Sequence, residues 1–259
     1  MENIRISTCT GIGKLNSIVN LKNLLNNINP TDEGFIRYVE TSEGNKGYAK
    51  KNTKKKRKPV LKKTLFFNQG TVIIYDKIKE KLVNIKLFQN SKIQVTGILS
   101  KEMGIRVVEL LIDYIVNLDC NFCEEQKIFK ANKISLSEFR LVLQNADFDF
   151  GFKVVREKLY NEFIDENIFC TFEPTHYPGV KCGLFYNKNK PFQSGICDCE
   201  IPCNGKGKKE NECVKITTSV FASGKCLVTG SRNSEQLDFA YNFVYEFVNS
   251  KKENLILKN

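Results

Sequence analysis

Apolar and polar positions follow the same order twice along the chain. In the first half, strand-like patterns cover 3–9, 35–40, 65–75, 83–88 and 92–97. Helical spacing predicts helices over 19–28 and from Ser100, the predicted N-cap, to about residue 118. In the second half, strands are predicted over 139–145, 180–186, 214–221 and 225–230. Helices are predicted over 152–166 and after Asn233, which resembles the cap of a capping box with Gln236. Each half therefore has a strand, a helix, several antiparallel strands and a closing helix.

An eleven-residue motif is the clearest sign of this duplication. It reads LFQNSKIQVTG at 87–97 and VFASGKCLVTG at 220–230, a constant spacing of 133 residues. In the second copy, Ser223-Gly224 predicts a two-residue turn between strands, and Asn90-Ser91 fills the same place in the first. A spacing this long indicates one supersecondary unit duplicated within the chain.

The net charge of the chain indicates the kind of molecule that it binds. The 259 residues carry a formal charge of +11, which favours an anionic partner such as nucleic acid over a merely solvated basic surface. Nine Lys or Arg occupy the fourteen positions 50–63, which predicts a mobile, exposed loop. Neither a signal peptide nor a membrane-spanning stretch is recognisable, so we expect an intracellular protein.

The residues that enzymes commonly use are scarce. There is one histidine, His176, and we find no phosphate-cradling glycine loop, no HExxH and no convincing carboxylate pair. The chain is therefore predicted not to be an enzyme.

Ten cysteines without a secretory signal argue against a disulfide framework. Four of them are spaced C-x-C-x3-C-x9-C in a Gly-containing insert: Cys197, Cys199, Cys203 and Cys213. Four thiolates could hold zinc tetrahedrally, and loose reduced thiols are the alternative. No other cofactor is expected. Cys120 and Cys123 form a C-x-x-C without a second such pair, which favours unrelated thiols.

Two motifs carry a resemblance to a known family. FEPTHYPG at 172–179 is similar to the Y-E-P-x-x-F-P-G motif of the TATA-box-binding protein family, and 220–230 to its I-F-x-S-G-K-x-V-x-T-G motif. The long inserts resemble the divergent versions of large DNA viruses. The resemblance implies an α+β fold of two direct repeats, forming a saddle-shaped, curved antiparallel sheet with helices on the convex face. It divides the chain into a first repeat at 1–118 with a basic insert at about 41–64, a linker at 119–134, and a second repeat at 135–259 with a Cys/Gly-rich insert at 188–213.

The resemblance also implies a DNA-binding surface. The family inserts two aromatic wedges per repeat, which here are Tyr177 and Phe221 in the second repeat and Phe88 and Phe67 in the first, with Phe35 as the alternative to Phe67. Aromatic residues in strands are more often core, and this remains the alternative interpretation. The other implied DNA-binding residues are Lys92 and Lys225 for phosphates, Gln94, Thr96, Leu227 and Thr229 for the groove, and Asn145 or Asn3 near its centre.

A protein-binding loop is implied beside the second wedge. Glu173 retains an acidic residue of the family, whereas Thr175 and His176 depart from its pattern, which favours a different or co-diverged partner. The implied function is a monomeric general transcription factor that binds and bends AT-rich promoter DNA through the minor groove. Its partners would be a bridging IIB-like factor and the RNA polymerase machinery, in a host-cell cytoplasmic factory or nucleus, or packaged in a virion, if the source is viral. The alternatives are a non-specific architectural DNA- or RNA-binding protein with the same fold, and an enzyme built on it.

Overall fold

Two compact units make up the chain in the computed structural model, which describes residues 4–47, 66–131 and 133–257. The first-repeat unit comprises residues 9–141, and the second-repeat unit comprises 1–8 with 142–259. The predicted basic loop at 50–63 and Asn3 lie outside the described residues. Among the residues described, no helix combines the length and apolar character needed to cross a membrane.

The first-repeat unit follows the predicted order of elements. They are β1 (Arg5–Leu15, whose first residues belong to the other unit), α1 (Leu21–Asn27), β2 (Ile36–Thr41), β3 (Gly44–Gly47), β4 (Gln69–Asp76), β5 (Lys81–Phe88), β6 (Lys92–Ile98) and α2 (Lys101–Asp119). The strands are antiparallel and lie in the order β3-β2-β4-β5-β6-β1. Among these, only β3 was not predicted.

Side-chain caps fix where the first-unit helices begin. Asn20 Oδ1 accepts a hydrogen bond from the backbone N–H of Asn23 at 3.0 Å, and Ser100 Oγ accepts one from that of Met103 at 3.1 Å. Each bond satisfies a donor that has no partner within its helix. The prediction of Ser100 as a cap is confirmed.

Phe139 fills a space left by glycines in the core of the first-repeat unit. It lies in β7 (Leu136–Asp149), of which residues 136–141 belong to this unit. A Cβ atom added to Gly11 would lie 2.4 Å from Phe139 Cζ, and one added to Gly104 would lie 2.5 Å from the same atom. A Cβ atom added to Gly13 would lie 3.1 Å from Phe139 Cδ2. The glycines therefore allow β1 and α2 to pack directly against the ring.

A buried ion pair ties β4 to α2. Arg106 donates two hydrogen bonds of 2.8 Å to the two carboxylate oxygens of Asp76, whose side chain is 1% exposed. These hydrogen bonds lower the pKa of Asp76, against the opposing effect of burial.

The segment after α2, predicted as a linker, packs onto the first-repeat unit. The Asp119 carboxylate accepts hydrogen bonds from the backbone N–H groups of Ile128 at 2.8 Å and Phe129 at 3.0 Å. Both of those side chains are buried, and Val19 forms an isolated bridge with Phe129.

The second-repeat unit repeats this order. Beyond the rest of β7, its elements are α3 (Arg156–Asp165), β8 (Cys170–Thr171), β9 (Val180–Tyr186), β10 (Val214–Val220), β11 (Lys225–Ser231), α4 (Ser234–Ser250) and α5 (Lys252–Leu255). The antiparallel order is β7-β11-β10-β9-β8. Asn233 caps α4, as predicted, by accepting from the N–H of Gln236 at 2.9 Å. The predicted α+β class, antiparallel strands with packed helices, is confirmed.

Helix α3 begins at Arg156, four residues later than predicted. Val154 forms a bridge with Ile256, and the N–H of Val155 donates to the Leu255 carbonyl at 2.8 Å. Residues 153–155 are therefore held extended by the C-terminal segment, a tertiary contact that their helical spacing does not reveal. Strand β8 and helix α5 were not predicted.

Candidate nucleic-acid interface

The sheet of the second-repeat unit has one face in the core and one open face. On β9, β10 and β11 the side chains of Cys182, Leu184, Ile216, Cys226 and Val228 point to the core shared with α4. The alternate positions lie on the opposite side, which we call the open face of this unit. Burial raises the pKa of the Cys182 thiol to about 12, as expected for a core thiol.

Small and weakly polar side chains occupy the middle of this open face. Leu227 is 36% exposed, and the register places it opposite Ser219. Thr229 lies opposite Thr217 and donates its hydroxyl to the Thr217 carbonyl at 3.2 Å. Leu227 and Thr229, both predicted from the repeated motif, therefore share one face. Such a surface suits a ligand that offers few hydrogen-bonding groups.

Two aromatic rings meet at the end of this face. The centroids of Tyr177 and Phe221 lie 5.8 Å apart, and both side chains are partly exposed. A Cβ atom on Gly179 would lie 2.9 Å from the Tyr177 ring and 3.2 Å from the Phe221 ring. The absence of a side chain at Gly179 therefore lets the two rings approach each other. The predicted wedge pair is brought together, and its role remains a prediction.

The turn that carries Phe221 differs from the predicted two-residue turn. The N–H of Phe221 donates to the Lys225 carbonyl and that of Gly224 donates to the Phe221 carbonyl, both at 2.9 Å, so the loop has three residues. Gly224 has φ +88°, the left-handed conformation that a three-residue hairpin loop requires. A Cβ atom there would lie 2.0 Å from the Phe152 carbonyl oxygen.

Lysines flank the open face, and two of them were not predicted. The Lys181 ammonium lies 4.2 Å from the Tyr177 ring centroid, and that of Lys215 lies 3.8 Å from the centroid of Phe169. The predicted Lys225 is exposed at the start of β11. Lys181 and Lys215 alternate with core residues, so strand periodicity was the signal that could have found them.

Carboxylates on β7 also lie on this side of the sheet. The register places Asp147 opposite Leu227 and Asp149 opposite Lys225. Arg5 donates to both oxygens of Asp147 at 2.9–3.2 Å. Arg5 thereby offsets one negative charge that would otherwise repel a polyanion.

Asn145, predicted near the groove centre, lies two residues before Asp147 on the same strand. Its side-chain oxygen is buried and has no hydrogen-bond partner among the described residues. Asn84 in the first-repeat unit carries a side-chain oxygen in the same situation, and sequence reasoning did not select it.

The first-repeat unit has an open face of its own. On β5 and β6, Val83, Ile85, Leu87, Ile93 and Val95 are buried, and the alternate positions are partly exposed. The predicted Gln94 and Thr96 occupy two of these alternate positions, opposite Lys86 and Asn84. The predicted Lys92 is exposed and lies opposite Lys14.

Strand register identifies the first-repeat counterpart of Tyr177. Gly70 lies opposite Leu87, as Val180 lies opposite Val220, and Leu87 and Val220 are equivalent in the repeated motif. Phe67 precedes Gly70 by as many residues as Tyr177 precedes Val180, and it is 78% exposed.

Phe88 is the first-repeat counterpart of Phe221 and is partly exposed at the end of β5. Its hairpin closes in the same way, since the N–H of Ser91 donates to the Phe88 carbonyl at 3.1 Å. The alternative residue Phe35 instead packs against Tyr114 of α2, with ring centroids 5.9 Å apart.

The predicted protein-binding loop lies between β8 and β9. The side chains of Glu173 and His176 are 74% and 81% exposed and 3.5 Å apart, and Thr175 is exposed beside them. Arg156 at the start of α3 lies 5.3 Å from the Phe172 ring centroid and donates to the Pro178 carbonyl. Arg156, which sequence reasoning missed, therefore holds both ends of this loop.

The four cysteines of the second insert converge. Their sulfur atoms, those of Cys197, Cys199, Cys203 and Cys213, all lie within 4.8 Å of one another. Cys120 and Cys123 are exposed and separate from this group.

Comparisons with known proteins agree with this architecture. Residues 141–250 match the sequence model of the family described as "Transcription factor TFIID (or TATA-binding protein, TBP)". A "TATA-box-binding protein-like" chain of Acanthamoeba polyphaga mimivirus is 26% identical over 255 residues, which cover 95% of this chain and 65% of that relative. The structure of Methanococcus jannaschii TBP aligns over 96% of this chain and 99% of its own, with a TM-score of 0.50 and 15% identity.

The fold and the duplicated hairpin define an α+β protein built from two direct repeats. In sequence, residues 141–250 are similar to the TATA-binding protein family and the chain as a whole is similar to its mimivirus relative, while the fold is similar to that of the archaeal TBP. The resemblance inferred from the two motifs is thus confirmed. A match to a family described as a transcription factor also agrees with the prediction that the chain is not an enzyme.

Proposed function

We propose that the chain is a general transcription factor that binds AT-rich duplex DNA through the minor groove, bends it and nucleates transcription initiation. Each repeat carries one pair of exposed or partly exposed aromatic residues at an equivalent place: Phe67 with Phe88 in the first, and Tyr177 with Phe221 in the second. These two pairs are the observation that supports the proposal most strongly. Aromatic and apolar wedges that enter a base step unstack it and kink the duplex.

The chemistry of the open faces supports the minor groove as the target. An A·T-rich minor groove offers only acceptors on its base edges, so small and weakly polar side chains such as Leu227, Thr229 and Thr96 suit its floor. Lys92, Lys225 and Lys181 are exposed and available to phosphates. The net charge of +11 adds a favourable, salt-dependent contribution to the binding of any polyanion.

A bending assay with Phe221→Ala tests the proposal. The full chain is titrated onto a short AT-rich duplex labelled at both ends for energy transfer, with a GC-rich duplex and an RNA duplex as competitors. We expect affinity for the AT-rich duplex to fall about ten- to hundredfold, since base–aromatic stacking is worth about 1–3 kcal/mol, and the bend to decrease.

Phe192→Ala is the matched control, because Phe192 is 78% exposed in the insert and belongs to neither aromatic pair. It should leave affinity and bending unchanged. Equal binding of all three nucleic acids by the unmodified chain would instead indicate a non-specific architectural protein. An unchanged bend in a correctly folded Phe221→Ala variant would contradict the wedge role.

The exposed loop with Glu173, Thr175 and His176 is proposed to bind a bridging IIB-like factor. The accessibility of all three side chains and the support from Arg156 favour this role. Glu173→Arg should abolish recruitment of such a factor from the same source onto the DNA complex, with DNA binding unchanged. Recruitment at the original level would refute the assignment. An intracellular site of action, in a host-cell factory or nucleus, is consistent with ten free thiols.

A further inference from the structure

We propose that Cys197, Cys199, Cys203 and Cys213 bind one structural zinc ion that keeps the insert between β9 and β10 folded. This inference concerns the insert alone and does not depend on the proposed DNA-binding function.

The spacing of the sulfur atoms fits a tetrahedral metal. With Zn–S bonds of about 2.3 Å, the sulfur atoms of a regular tetrahedron lie about 3.8 Å apart. Cys197 Sγ and Cys203 Sγ are 3.6 Å apart, Cys199 Sγ and Cys213 Sγ are 3.5 Å apart, and no pair exceeds 4.8 Å. Shifts of up to about 1 Å in the spacing of the sulfur atoms would therefore complete a tetrahedral site around a central ion. Zinc is the metal that four thiolates in a structural site favour.

Contacts of the insert with β9 and β10 fix the positions from which the four cysteines converge. Cys213 is buried directly before β10, so the sheet fixes its position. The segment before the cluster is attached to β9, because the N–H of Phe185 donates to the Gly195 carbonyl at 2.9 Å. The segment after Cys203 is attached to β10, because the N–H of Lys215 donates to the Gly205 carbonyl at 2.8 Å. Gly205 has φ +71°, which reverses the chain between the third and fourth cysteines.

The insert has no apolar core that could hold it together. Between residues 188 and 212 the only buried positions are Gly195 and Gly205. The large apolar side chains there point to solvent, with Phe192 78% and Ile201 84% exposed. A segment of this length that buries so little apolar surface needs another source of folding free energy, and metal–thiolate bonds supply it in small domains.

Polar bonds position the insert without replacing a core. Gln193 closes a loop by accepting from the Asn187 N–H at 2.8 Å and donating to the Asn187 carbonyl at 2.7 Å. Arg232 donates to the Gly207 carbonyl at 3.4 Å. Each hydrogen bond of this kind adds only about 0.5–1.5 kcal/mol of net stability, so the cysteine cluster is the part of the insert whose loss should unfold it.

Metal analysis of the full chain tests the proposal directly. Protein purified in reducing, chelator-free buffer should contain about one zinc per chain. Replacement by cobalt should give the thiolate-to-metal and visible bands of a tetrahedral site with four thiolate ligands. Cys203→Ser should lose most of the bound zinc, whereas the matched control Cys120→Ser, at an exposed cysteine outside the cluster, should keep it.

Limited trypsin digestion gives a readout of the structural role. The insert contains four lysines that are not followed by proline and are therefore trypsin sites, Lys188, Lys206, Lys208 and Lys209. Chelation, or Cys203→Ser, should make these sites newly susceptible to cleavage, while β9, β10 and α4 remain protected and the far-UV circular dichroism is largely retained.

Three results would overturn the proposal. One is four free, titratable thiols with no bound metal under reducing conditions. Another is two disulfides, for which the pairs Cys197–Cys203 and Cys199–Cys213 are the nearest partners. The third is full zinc content in Cys203→Ser.

Discussion

Breaking the ion pair between Asp76 and Arg106 should lower the free energy of unfolding, by an amount that depends on how deeply the pair is buried. Replacing Arg106 with Met removes two hydrogen bonds of 2.8 Å and leaves the carboxylate of Asp76, 1% exposed, without its charged partner. Breaking a buried pair costs about 3–5 kcal/mol. Since the Arg106 side chain is 32% exposed, we expect the lower end, about 3 kcal/mol at neutral pH.

Arg5→Met is the matched control for this change. Arg5 also donates to both oxygens of an aspartate, Asp147, but its side chain is 78% exposed. A solvated pair contributes about 0–1 kcal/mol, so this variant should be close to the unmodified chain.

The cost of Arg106→Met should also depend on pH. Hydrogen bonds from Arg106 lower the pKa of Asp76, so the pair stabilises the fold above the unfolded value of about 3.9 and this contribution is lost as pH falls through the folded pKa. In the variant, burial raises the pKa of Asp76 and is opposed only by the backbone N–H groups of Ile78 and Lys79, so the charged form is costlier than in the unmodified chain. The difference in unfolding free energy should therefore be largest at neutral pH and shrink below about pH 4.

Urea denaturation followed by far-UV circular dichroism measures these differences, because the chain has no tryptophan. Hydrogen exchange of amides in β4 and α2 would locate the weakened region. Equal losses in the two Arg→Met variants, or a loss in Arg106→Met that is the same at pH 3 and pH 7, would refute the reasoning.

Three further substitutions test the hairpins. Gly224→Ala should destabilise the chain by about 3 kcal/mol, because φ is +88° and the new Cβ atom would lie 2.0 Å from the Phe152 carbonyl oxygen. Thermal unfolding measures this loss, and an unchanged midpoint would contradict the geometry. Ser91→Gly, at the equivalent place in the first repeat with φ +69°, should have the opposite sign and stabilise by about 0.5–1 kcal/mol in the same assay. Tyr177→Phe should tighten binding to an AT-rich duplex about threefold to tenfold in a titration, because no hydroxyl is then left unpaired between bases; weaker binding would mean that the hydroxyl has a partner in the complex.

Local signals predicted most of the elements. The caps Ser100 and Asn233 and the alternation along β9, β10 and β11 depend on neighbouring residues, so the sequence alone was sufficient for them. The start of α3 was predicted wrongly because a distant segment, around Ile256, competes for the same backbone. The turn after Phe221 was predicted one residue too short, since the choice between two and three loop residues depends on which carbonyl the N–H of Gly224 reaches.

The candidate site was predictable where the repeated motif covers it and not elsewhere. Lys225, Leu227 and Thr229 follow from the motif, whereas the equivalence of Phe67 and Tyr177 became visible only through strand register. Arg156 reaches its loop from a separate helix, so no spacing in the sequence connects it with Phe172. The convergence of the cysteines likewise depends on how β9 and β10 bring the ends of their insert together.

The packing of Phe139 against Gly11, Gly13 and Gly104 restricts which substitutions related sequences can accept at these positions. Gly11 and Gly104 cannot acquire a side chain while the phenylalanine keeps its place, because the new Cβ atoms would lie 2.4 Å and 2.5 Å from Phe139 Cζ. A smaller residue at Phe139 would lift that restriction from Gly11, whereas Gly13 and Gly104 would still meet Leu136 Cδ1 at 2.9 Å and Ile98 Cδ1 at 2.8 Å. Related chains should therefore show correlated exchange of Gly11 and Phe139, with alanine or serine at the glycine position only where the aromatic residue of β7 has already been replaced.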